Sequence, residues 1–300
     1  MKPILTLSII ILILLSGCGS KKLPPQPTHT NFNRIISLAP SITETLFALG
    51  LGDKVVGVTR FCTYPEEVKK LPKLGGLTDI NYEAIVSLKP DVVILSVENA
   101  EAKKKLSKIG IKVFAVEVQN WDNITESFLK IGRELGVESK AEALKDDFDT
   151  KVKTVQVLVK NLDKPRVLVS IDRDFQSKKV EKAWVAGNEG LYNKMIEITG
   201  GKNAYEGVTK GSPILSSEGI IRLNPDVIID TIANFDELGY NEKTARNAWN
   251  SLPQVSAVKN KRIYLFTQEY VARPGPGIVR LLPFLVKAIH PEIADKIKNE

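Results

Sequence analysis

Two glutamates, Glu83 and Glu218, occupy the same position in two copies of one sequence pattern. The segments 83–94 and 218–229 share seven of twelve residues at a constant offset of 135 residues. In each copy the glutamate opens a short predicted helix, where a carboxylate interacts favourably with the helix dipole by about 0.3–1 kcal/mol. The dipole explains either glutamate alone, but it explains less well why both copies hold the same residue at one register. Two matched charges on a pseudo-symmetric body indicate a partner with two-fold symmetry.

Aromatic and charged residues near predicted strand ends are the candidates for contact with a small ligand. Flat aromatic rings give a large apolar contact area, and an arginine can form paired hydrogen bonds with a carboxylate or a phosphate. Arg273 precedes the last predicted helix, where a cation opposes the dipole, so its position favours a function. Trp184 is predicted to lie just ahead of a helix. Packing in the core or at a rim is the alternative for each aromatic residue. Arg60 and Arg173 are weaker candidates, because an exposed arginine is usually only solvated. The candidate ligand contacts are Phe61, Tyr64, Trp184, Glu269, Tyr270 and Arg273.

Cysteine and histidine are too few for several common kinds of site. The 300 residues include two cysteines and two histidines, so we expect no disulfide framework, no thiolate metal cage and no metal site built on several imidazoles. A Ser-His-Asp triad would need His290 as its base, because His29 lies in a proline-rich tail. The net charge is +7, and without an arginine-rich arm or a zinc-finger spacing this surplus predicts no nucleic-acid partner.

The first 33 residues have the pattern of an export signal followed by a tether. Lys2 gives a positive start, and Ile4 to Leu15 is an apolar run that is too short to cross a bilayer as a helix. Residues 15–18, Leu-Ser-Gly-Cys, resemble the bacterial lipobox, in which cleavage occurs before the cysteine and lipid is attached to its sulfur. The resulting predictions are a lipoprotein signal peptide at 1–17, lipidation of Cys18, and a flexible, proline-containing tether at 18–33.

Strands and helices alternate in both halves of the remaining chain, which predicts two Rossmann-like α/β lobes with mostly parallel sheets. The β-branched segments after Pro90 and Pro225 are typical of strands that are buried on both faces. Between the halves, apolar residues recur at spacings of three and four without an intervening Gly or Pro, which predicts one long amphipathic helix. Such a stiff connection permits only small rocking of the lobes. The predicted domains are an N-terminal lobe at 34–137, an interlobe helix at 138–163 and a C-terminal lobe at 164–300.

Five motifs in this order resemble the class III substrate-binding proteins of ABC importers, in the branch that captures cobalamin and ferric siderophores. The motifs lie at 34–50, 56–65, 71–76, 88–93 and 249–255. The resemblance covers about residues 34–290 and implies a ligand cleft between the lobes, at the carboxyl ends of the strands. It also implies that Glu83 and Glu218 dock onto arginines of a permease dimer, which works with ATPase subunits. The protein is then expected to be a monomer without a cofactor or catalytic activity.

The resemblance also bears on the identity of the ligand. The best-known cobalamin binders carry tryptophans at three places that hold Leu77, Ser96 and Ser212 in this chain, so a ferric siderophore competes closely with a corrinoid. Haem-binding relatives carry a tyrosine where this chain has Gly76, and the zinc and manganese branch uses histidines that are missing here. The expected function is capture of cobalamin or a ferric siderophore, with a lipid anchor outside the cytoplasmic membrane. A haem-binding importer component, an exported α/β enzyme and a surface adhesin are the alternatives.

Overall fold

The computed structural model describes residues 31–208, 211–232, 235, 238–268 and 270–297 of the chain. The predicted signal peptide, Cys18, most of the predicted tether and Glu269 lie outside these residues. Within the described ranges, the helices are all too short or too polar to cross a membrane.

The N-terminal lobe is a four-stranded parallel sheet with helices on both faces. Its strands, in the order β2-β1-β3-β4, are β1 (Ile35–Ser37), β2 (Val55–Val58), β3 (Val92–Ser96) and β4 (Val113–Val116). Its helices are α1 (Pro40–Ala48), α2 (Tyr82–Ser87), α3 (Ala100–Lys108) and α4 (Trp121–Leu135). Alternate residues of β3 enter two different cores: Val92 and Ile94 pack on the side of α1, and Val93 and Leu95 pack on the side of α2 and α3. The uniformly apolar sequence of this strand therefore reflects burial on both faces.

The C-terminal lobe is built on a mixed sheet. Its strands are β5 (Arg166–Arg173), β6 (Lys182–Val185), β7 (Lys202–Asn203), β8 (Ile214–Ser216), β9 (Val227–Thr231) and β10 (Ile263–Phe266). The order is β10-β9-β5-β6-β8, with β7 paired to the start of β5. The pairs among β10, β9, β5 and β7 are parallel, whereas β6 and β8 run antiparallel at one edge. Its helices are α6 (Leu191–Ile198), α7 (Ser217–Leu223), α8 (Glu242–Ala248), α9 (Ser256–Lys259) and α10 (Leu282–Ile289).

The prediction of two α/β lobes is confirmed, but the antiparallel edge of the second sheet was not predicted. The strands β6 and β8 are short and mix polar with apolar residues, so they lack the uniform apolar run that marks the parallel strands. The placement of Trp184 ahead of a helix is therefore wrong, because Trp184 lies within β6 and the next helix, α6, begins only at Leu191.

The sequence repeat is also a structural repeat. The side chain of Asn81 accepts a hydrogen bond from the backbone N–H of Ala84 at the start of α2, and Ser216 does the same for Gly219 at the start of α7. Such N-caps satisfy backbone donors that have no partner within the helix. After the two helices, Lys89 and Asn224 adopt left-handed backbone conformations with φ of 45° and 44°. Each helix thus begins with a side-chain N-cap and is followed by a residue in the left-handed conformation. These two features fix the position of the helix relative to the following strand.

The helix α5 (Glu138–Val159) connects the two lobes. Its 22 residues span about 33 Å at 1.5 Å per residue. It begins near Gly50, which precedes β2, and ends near Gly200, which precedes β7, so it runs between the amino-terminal edges of the two sheets. The carboxyl ends of the strands consequently face the space between the lobes. Ala141 is buried in the N-terminal core, whereas Phe148 packs against Trp121 and Phe128 of α4 in a core that also contains the C-terminal sheet, so the helix is held by both lobes.

Candidate functional site

In the part of the chain that the structure describes, hydrogen bonds between side chains cross the space between the lobes. Arg273 donates from Nη2 to Oγ1 of Thr63 at 3.1 Å. Arg280 donates from Nη1 to the hydroxyl of Tyr64 at 3.3 Å and from Nη2 to Oε1 of Glu44 at 3.2 Å. In the N-terminal lobe the acceptors lie on α1 and in the loop after β2, and the two arginines follow β10. We call Glu44, Tyr64, Tyr270, Arg273 and Arg280 the interlobe cluster.

The guanidinium of Arg280 lies close to two tyrosine rings that belong to different lobes. Its Cζ atom is 4.7 Å from the ring centroid of Tyr64 and 4.5 Å from that of Tyr270. Both distances allow a cation–π interaction, which strengthens when the groups are partly removed from water. Burial raises the pKa of the Tyr270 phenol, and the Arg280 cation opposes this shift. The arrangement therefore brings two of the predicted contacts, Tyr64 and Tyr270, to one place.

Glu44 is a buried carboxylate at the base of this cluster, with a relative exposure of 4%. Burial raises its pKa, while the cations of Arg273 and Arg280 and the backbone N–H of Gly277 act in the opposite direction. A side chain at Gly277 would collide with Oε1 of Glu44 and with the guanidinium of Arg280. Glycine at this position therefore lets the C-terminal lobe approach the carboxylate closely.

Arg273 is buried, with a relative exposure of 7%, and one of its guanidinium nitrogens can donate a hydrogen bond to a further partner. Its Nη2 atom is bonded to Thr63, but its Nη1 atom has no hydrogen-bond partner among the described residues. A buried donor without a partner is unfavourable, so a ligand group that accepts a hydrogen bond here would be stabilised. The loop of this residue is fixed locally by hydrogen bonds from the backbone N–H of Arg273 to the Tyr270 carbonyl and from that of Gly275 to the Arg273 carbonyl.

A cavity of about 540 Å³ lies beside the interlobe cluster. The N-terminal lobe contributes Gln119 and Asn120, which lie between β4 and α4, and the loop around Arg273 contributes Ala272 and Pro274. Tyr192 closes the other side, and its hydroxyl donates to the carbonyl of Val271 at 3.2 Å. The other lining residues are Ile171, Ala186, Gly187, Glu189, Gly190, Leu191, Gly211 and Ser212. This volume falls in the range of small-molecule pockets, and its wall combines apolar surface with a few polar groups.

None of the described sequence candidates lines this cavity directly, and Phe61 and Trp184 lie outside the interlobe cluster as well. Phe61 is 44% exposed, and the guanidinium of Arg60 lies 5.0 Å from its ring centroid. Arg60 itself forms paired hydrogen bonds with Asp79 at 2.6 and 2.9 Å, which engages its guanidinium within its own lobe. Trp184 is half-buried on β6, with the ammonium of Lys182 5.5 Å from its ring centroid. Among the described candidates, only Tyr64, Tyr270 and Arg273 come together.

Arg173, a weaker candidate from the sequence, belongs to the C-terminal core. Its guanidinium forms an ion pair with Asp230 at 2.6 Å, and the two side chains are 1% and 0% exposed. It also donates to the carbonyl of Ala245 at 2.7 Å, and the indole N–H of Trp249 donates to the same Asp230 carboxylate at 3.0 Å. The expectation of an exposed, solvated arginine is therefore wrong, because a buried carboxylate on the neighbouring strand compensates its charge.

The matched glutamates stand at the starts of α2 and α7, and both are exposed. The pKa of Glu218 is lowered, mainly by the backbone N–H of Glu218 itself and then by the hydroxyl of Ser216. Neither residue belongs to the interlobe cluster or lines the cavity. The two carboxylates are therefore presented to solvent at equivalent positions of the two lobes.

Two members of the interlobe cluster, Glu44 and Arg280, were not predicted from the sequence. Glu44 lies inside an apolar helix where a carboxylate has no obvious partner, and that conflict was the available signal. His290, the candidate base for a triad, is buried at the end of α10. Its two ring nitrogens form hydrogen bonds with the Glu292 carboxylate and with the Thr199 carbonyl. Within the described ranges, no three His, Cys, Asp or Glu side chains are grouped as metal ligands.

Comparisons with known proteins agree with this geometry. A family model described as periplasmic binding protein matches residues 35–270. An uncharacterized ABC transporter substrate-binding lipoprotein of Bacillus subtilis (strain 168), YvrC, is 34% identical over 269 residues, which cover 86% of this chain and 80% of that protein. A vitamin B12-binding protein of Vibrio vulnificus (strain YJ016) is 26% identical over 251 residues, covering 81% and 85% of the two chains.

Solved structures show the same architecture. A possible iron-binding (periplasmic solute-binding) protein from Staphylococcus epidermidis ATCC 12228 superposes with a TM-score of 0.74 and 30% identity, covering 87% of this chain and all of the other. The periplasmic haem-binding protein RhuT from Roseiflexus sp. RS-1, in apo form, superposes with a TM-score of 0.74 and 26% identity, covering 86% and 98%. The chain therefore belongs to the periplasmic binding protein family, as a substrate-binding component of an ABC transporter.

Proposed function

We propose that the protein captures a metal chelate, cobalamin or a ferric siderophore, between its lobes and delivers it to a permease dimer with ATPase subunits. The single observation that carries this proposal is the interlobe cluster, in which a tyrosine from each lobe and two arginines of the C-terminal lobe meet beside a cavity. Tyrosine rings suit the flat, apolar parts of a chelate, and a buried guanidinium suits its oxygen acceptors. The vitamin B12-binding, iron-binding and haem-binding relatives support a chelate as the ligand class.

Residues from both lobes are proposed as ligand contacts. Tyr64, Tyr270 and Arg273 carry the proposal through their positions, with Tyr192 and Asn120 added from the cavity wall. The remaining sequence candidates, Phe61, Trp184 and Glu269, stay predictions. The domain division at residues 34–137, 138–163 and 164–300 is part of the same proposal, since it assigns each contact to one lobe.

The ligand is tested by titration of the unlipidated protein, followed by tryptophan fluorescence. Trp121 is a suitable reporter, because its neighbour in the sequence, Asn120, lines the cavity. The probes are cyanocobalamin, a ferric trihydroxamate, a ferric tricatecholate and haemin. Saturation by cyanocobalamin or by a ferric siderophore supports the proposal and decides the class. Saturation by haemin alone, or by none of the four, would reject it.

We further propose that the protein is anchored outside the cytoplasmic membrane through a lipid on Cys18. The substrate-binding lipoprotein of Bacillus subtilis supports this anchor. The test is metabolic labelling of the expressed chain with a fatty acid, in parallel with Cys18→Ser. Label on the wild type and not on the variant supports the anchor, and an unlabelled wild type rejects it.

Glu83 and Glu218 are proposed to dock the loaded protein onto the permease. Charge reversal of both residues, Glu83→Lys with Glu218→Lys, should abolish uptake of the bound chelate and leave its capture unchanged. The matched control is Glu101→Lys with Glu242→Lys, because these glutamates also lie in exposed first helical turns, one in each lobe, but outside the repeat. If both double variants reduce uptake equally, or neither does, the docking role is rejected.

A further inference from the structure

The ion pair between Glu44 and Arg280 joins the two lobes at the base of the cleft. Glu44 belongs to α1 of the N-terminal lobe, and Arg280 lies in the short 3₁₀ helix Pro276–Leu281 before α10. Their side chains are 5% and 35% exposed, so the carboxylate is almost fully removed from water while the guanidinium reaches outward. A buried carboxylate is costly unless it is paired, and its partner here comes from the opposite lobe.

Beyond its ion pair with Glu44, the Arg280 guanidinium contacts two tyrosines. One nitrogen donates to Glu44, another donates to the Tyr64 hydroxyl, and the guanidinium carbon lies 4.7 and 4.5 Å from the ring centroids of Tyr64 and Tyr270. Rotation of this guanidinium would break contacts with all three residues at once. The Arg280 side chain therefore has one favoured conformation, and its ion pair with Glu44 fixes that conformation.

We infer that Glu44 and Arg280 are positioning residues of the ligand cleft, which hold the rings of Tyr64 and Tyr270 in place across the lobes before a ligand arrives. This inference rests on the proposed function, because it assumes that the two tyrosines contact the captured ligand. Fixing the contact residues in advance lowers the entropy that binding must overcome. A lysine at position 280 would keep the charge, but it lacks the flat, forked shape that serves Glu44 and both rings together.

The first test measures the positioning without any ligand. In Arg280→Met, the ring resonances of Tyr64 and Tyr270, assigned through Phe variants, should shift. Amide exchange at Arg273 and Gly275 should accelerate about tenfold, because local opening becomes easier. Arg280→Lys should resemble Arg280→Met. The control is Arg246→Met, which breaks an Arg–Glu pair of 2.8 Å that lies within one lobe and should change neither readout.

The second test measures ligand release with whichever of the four probes saturates the wild type. The dissociation rate from Arg280→Met should rise about tenfold while the association rate changes little, because most effects of contact-site changes appear in dissociation. Glu44→Gln should give a smaller rise, since an amide still accepts a hydrogen bond from Arg280 but carries no charge.

The outcomes separate this inference from the proposed function. If Arg280→Met matches Arg246→Met in ring shifts and amide exchange, the positioning role is wrong. If the rings move but the dissociation rate of a bound probe is unchanged, the pair serves stability alone and the inference is also overturned. If no probe binds the wild type, the proposed function fails, and ring shifts confined to the Arg280 variants still support the role of the pair in fixing the tyrosines.

Discussion

The buried pair of Arg173 and Asp230 offers a sharp test of the assignment of Arg173 to the core. The perturbation is Asp230→Asn, which keeps the shape of the side chain and removes its charge. In the wild type, Oδ2 of Asp230 accepts hydrogen bonds from Nε and Nη2 of Arg173 at 3.0 and 2.6 Å and from the indole N–H of Trp249 at 3.0 Å. The variant would leave the Arg173 cation buried without a counter-charge.

Loss of one partner from a buried ion pair typically costs about 3–5 kcal/mol. In this case Arg173 keeps its hydrogen bond to the Ala245 carbonyl and its contact with the ring of Phe175, 4.6 Å from the guanidinium carbon to the ring centroid. These contacts offset part of the loss, so we expect a decrease of about 3 kcal/mol in the free energy of unfolding. For a folded part of roughly 270 residues, such a decrease lowers the melting temperature by about 5 °C.

Urea unfolding followed by tryptophan fluorescence measures this loss, because Trp249 lies directly beside the altered carboxylate. The matched control is Asp149→Asn, which removes an exposed ion pair with Lys145 on α5 and should cost at most about 0.5 kcal/mol. Affinity of the folded Asp230→Asn protein for whichever probe binds the wild type should stay within about twofold, which is a small free-energy change. A loss below about 1 kcal/mol, or a tenfold loss of affinity with unchanged stability, would refute a core role for Arg173.

Two further predictions concern Glu44 and its glycine neighbour. Burial raises the pKa of Glu44 above its ordinary value of 4.5, so the folded protein binds a proton at this carboxylate more tightly than the unfolded chain does. The free energy of unfolding therefore falls as the pH rises from about 4.5 through the raised pKa of the folded state. Glu44→Gln should remove this part of the pH dependence in urea unfolding; parallel curves for the wild type and the variant would contradict it. Gly277→Ala should lower the free energy of unfolding by about 1–3 kcal/mol, because its Cβ would collide with Glu44 and Arg280. Gly219→Ala is its control, since the nearest atoms to the added methyl group lie 3.6 Å away; an equal loss in both variants would count against the close approach.

The fold could be predicted from the sequence wherever the residues of a single segment indicate its secondary structure and burial. The strand β3 is apolar on both faces, and the repeat at Glu83 and Glu218 shows a cap, a glutamate and a proline at fixed spacing. The antiparallel strand β6 gave no such signal, because its stability comes from pairing with β5 and β8 rather than from its own composition. The start of α5 was predicted correctly, but its end at Val159 lies before the predicted residue 163, since helix ends depend on tertiary contacts.

The candidate site was predicted only in part, for a related reason. Aromatic residues after a strand can be recognised from the sequence, which explains why Tyr64 and Tyr270 were selected. The pairing of Glu44 with Arg280 joins residues that are 236 positions apart, and local patterns carry no information about such a contact. Arg173 was misjudged for the same reason, because its partner Asp230 lies 57 residues away on a neighbouring strand.

The length of α5 has a consequence for how this molecule tolerates change. One residue inserted into that helix would turn everything beyond it by about 100° and advance it by about 1.5 Å. The cross-lobe bonds to Thr63, Tyr64 and Glu44 would then be lost together, and the relative orientation of the surfaces that bear Glu83 and Glu218 would change. Surface loops accommodate added residues at little cost, whereas the number of residues in α5 sets both the distance and the rotation between the two lobes.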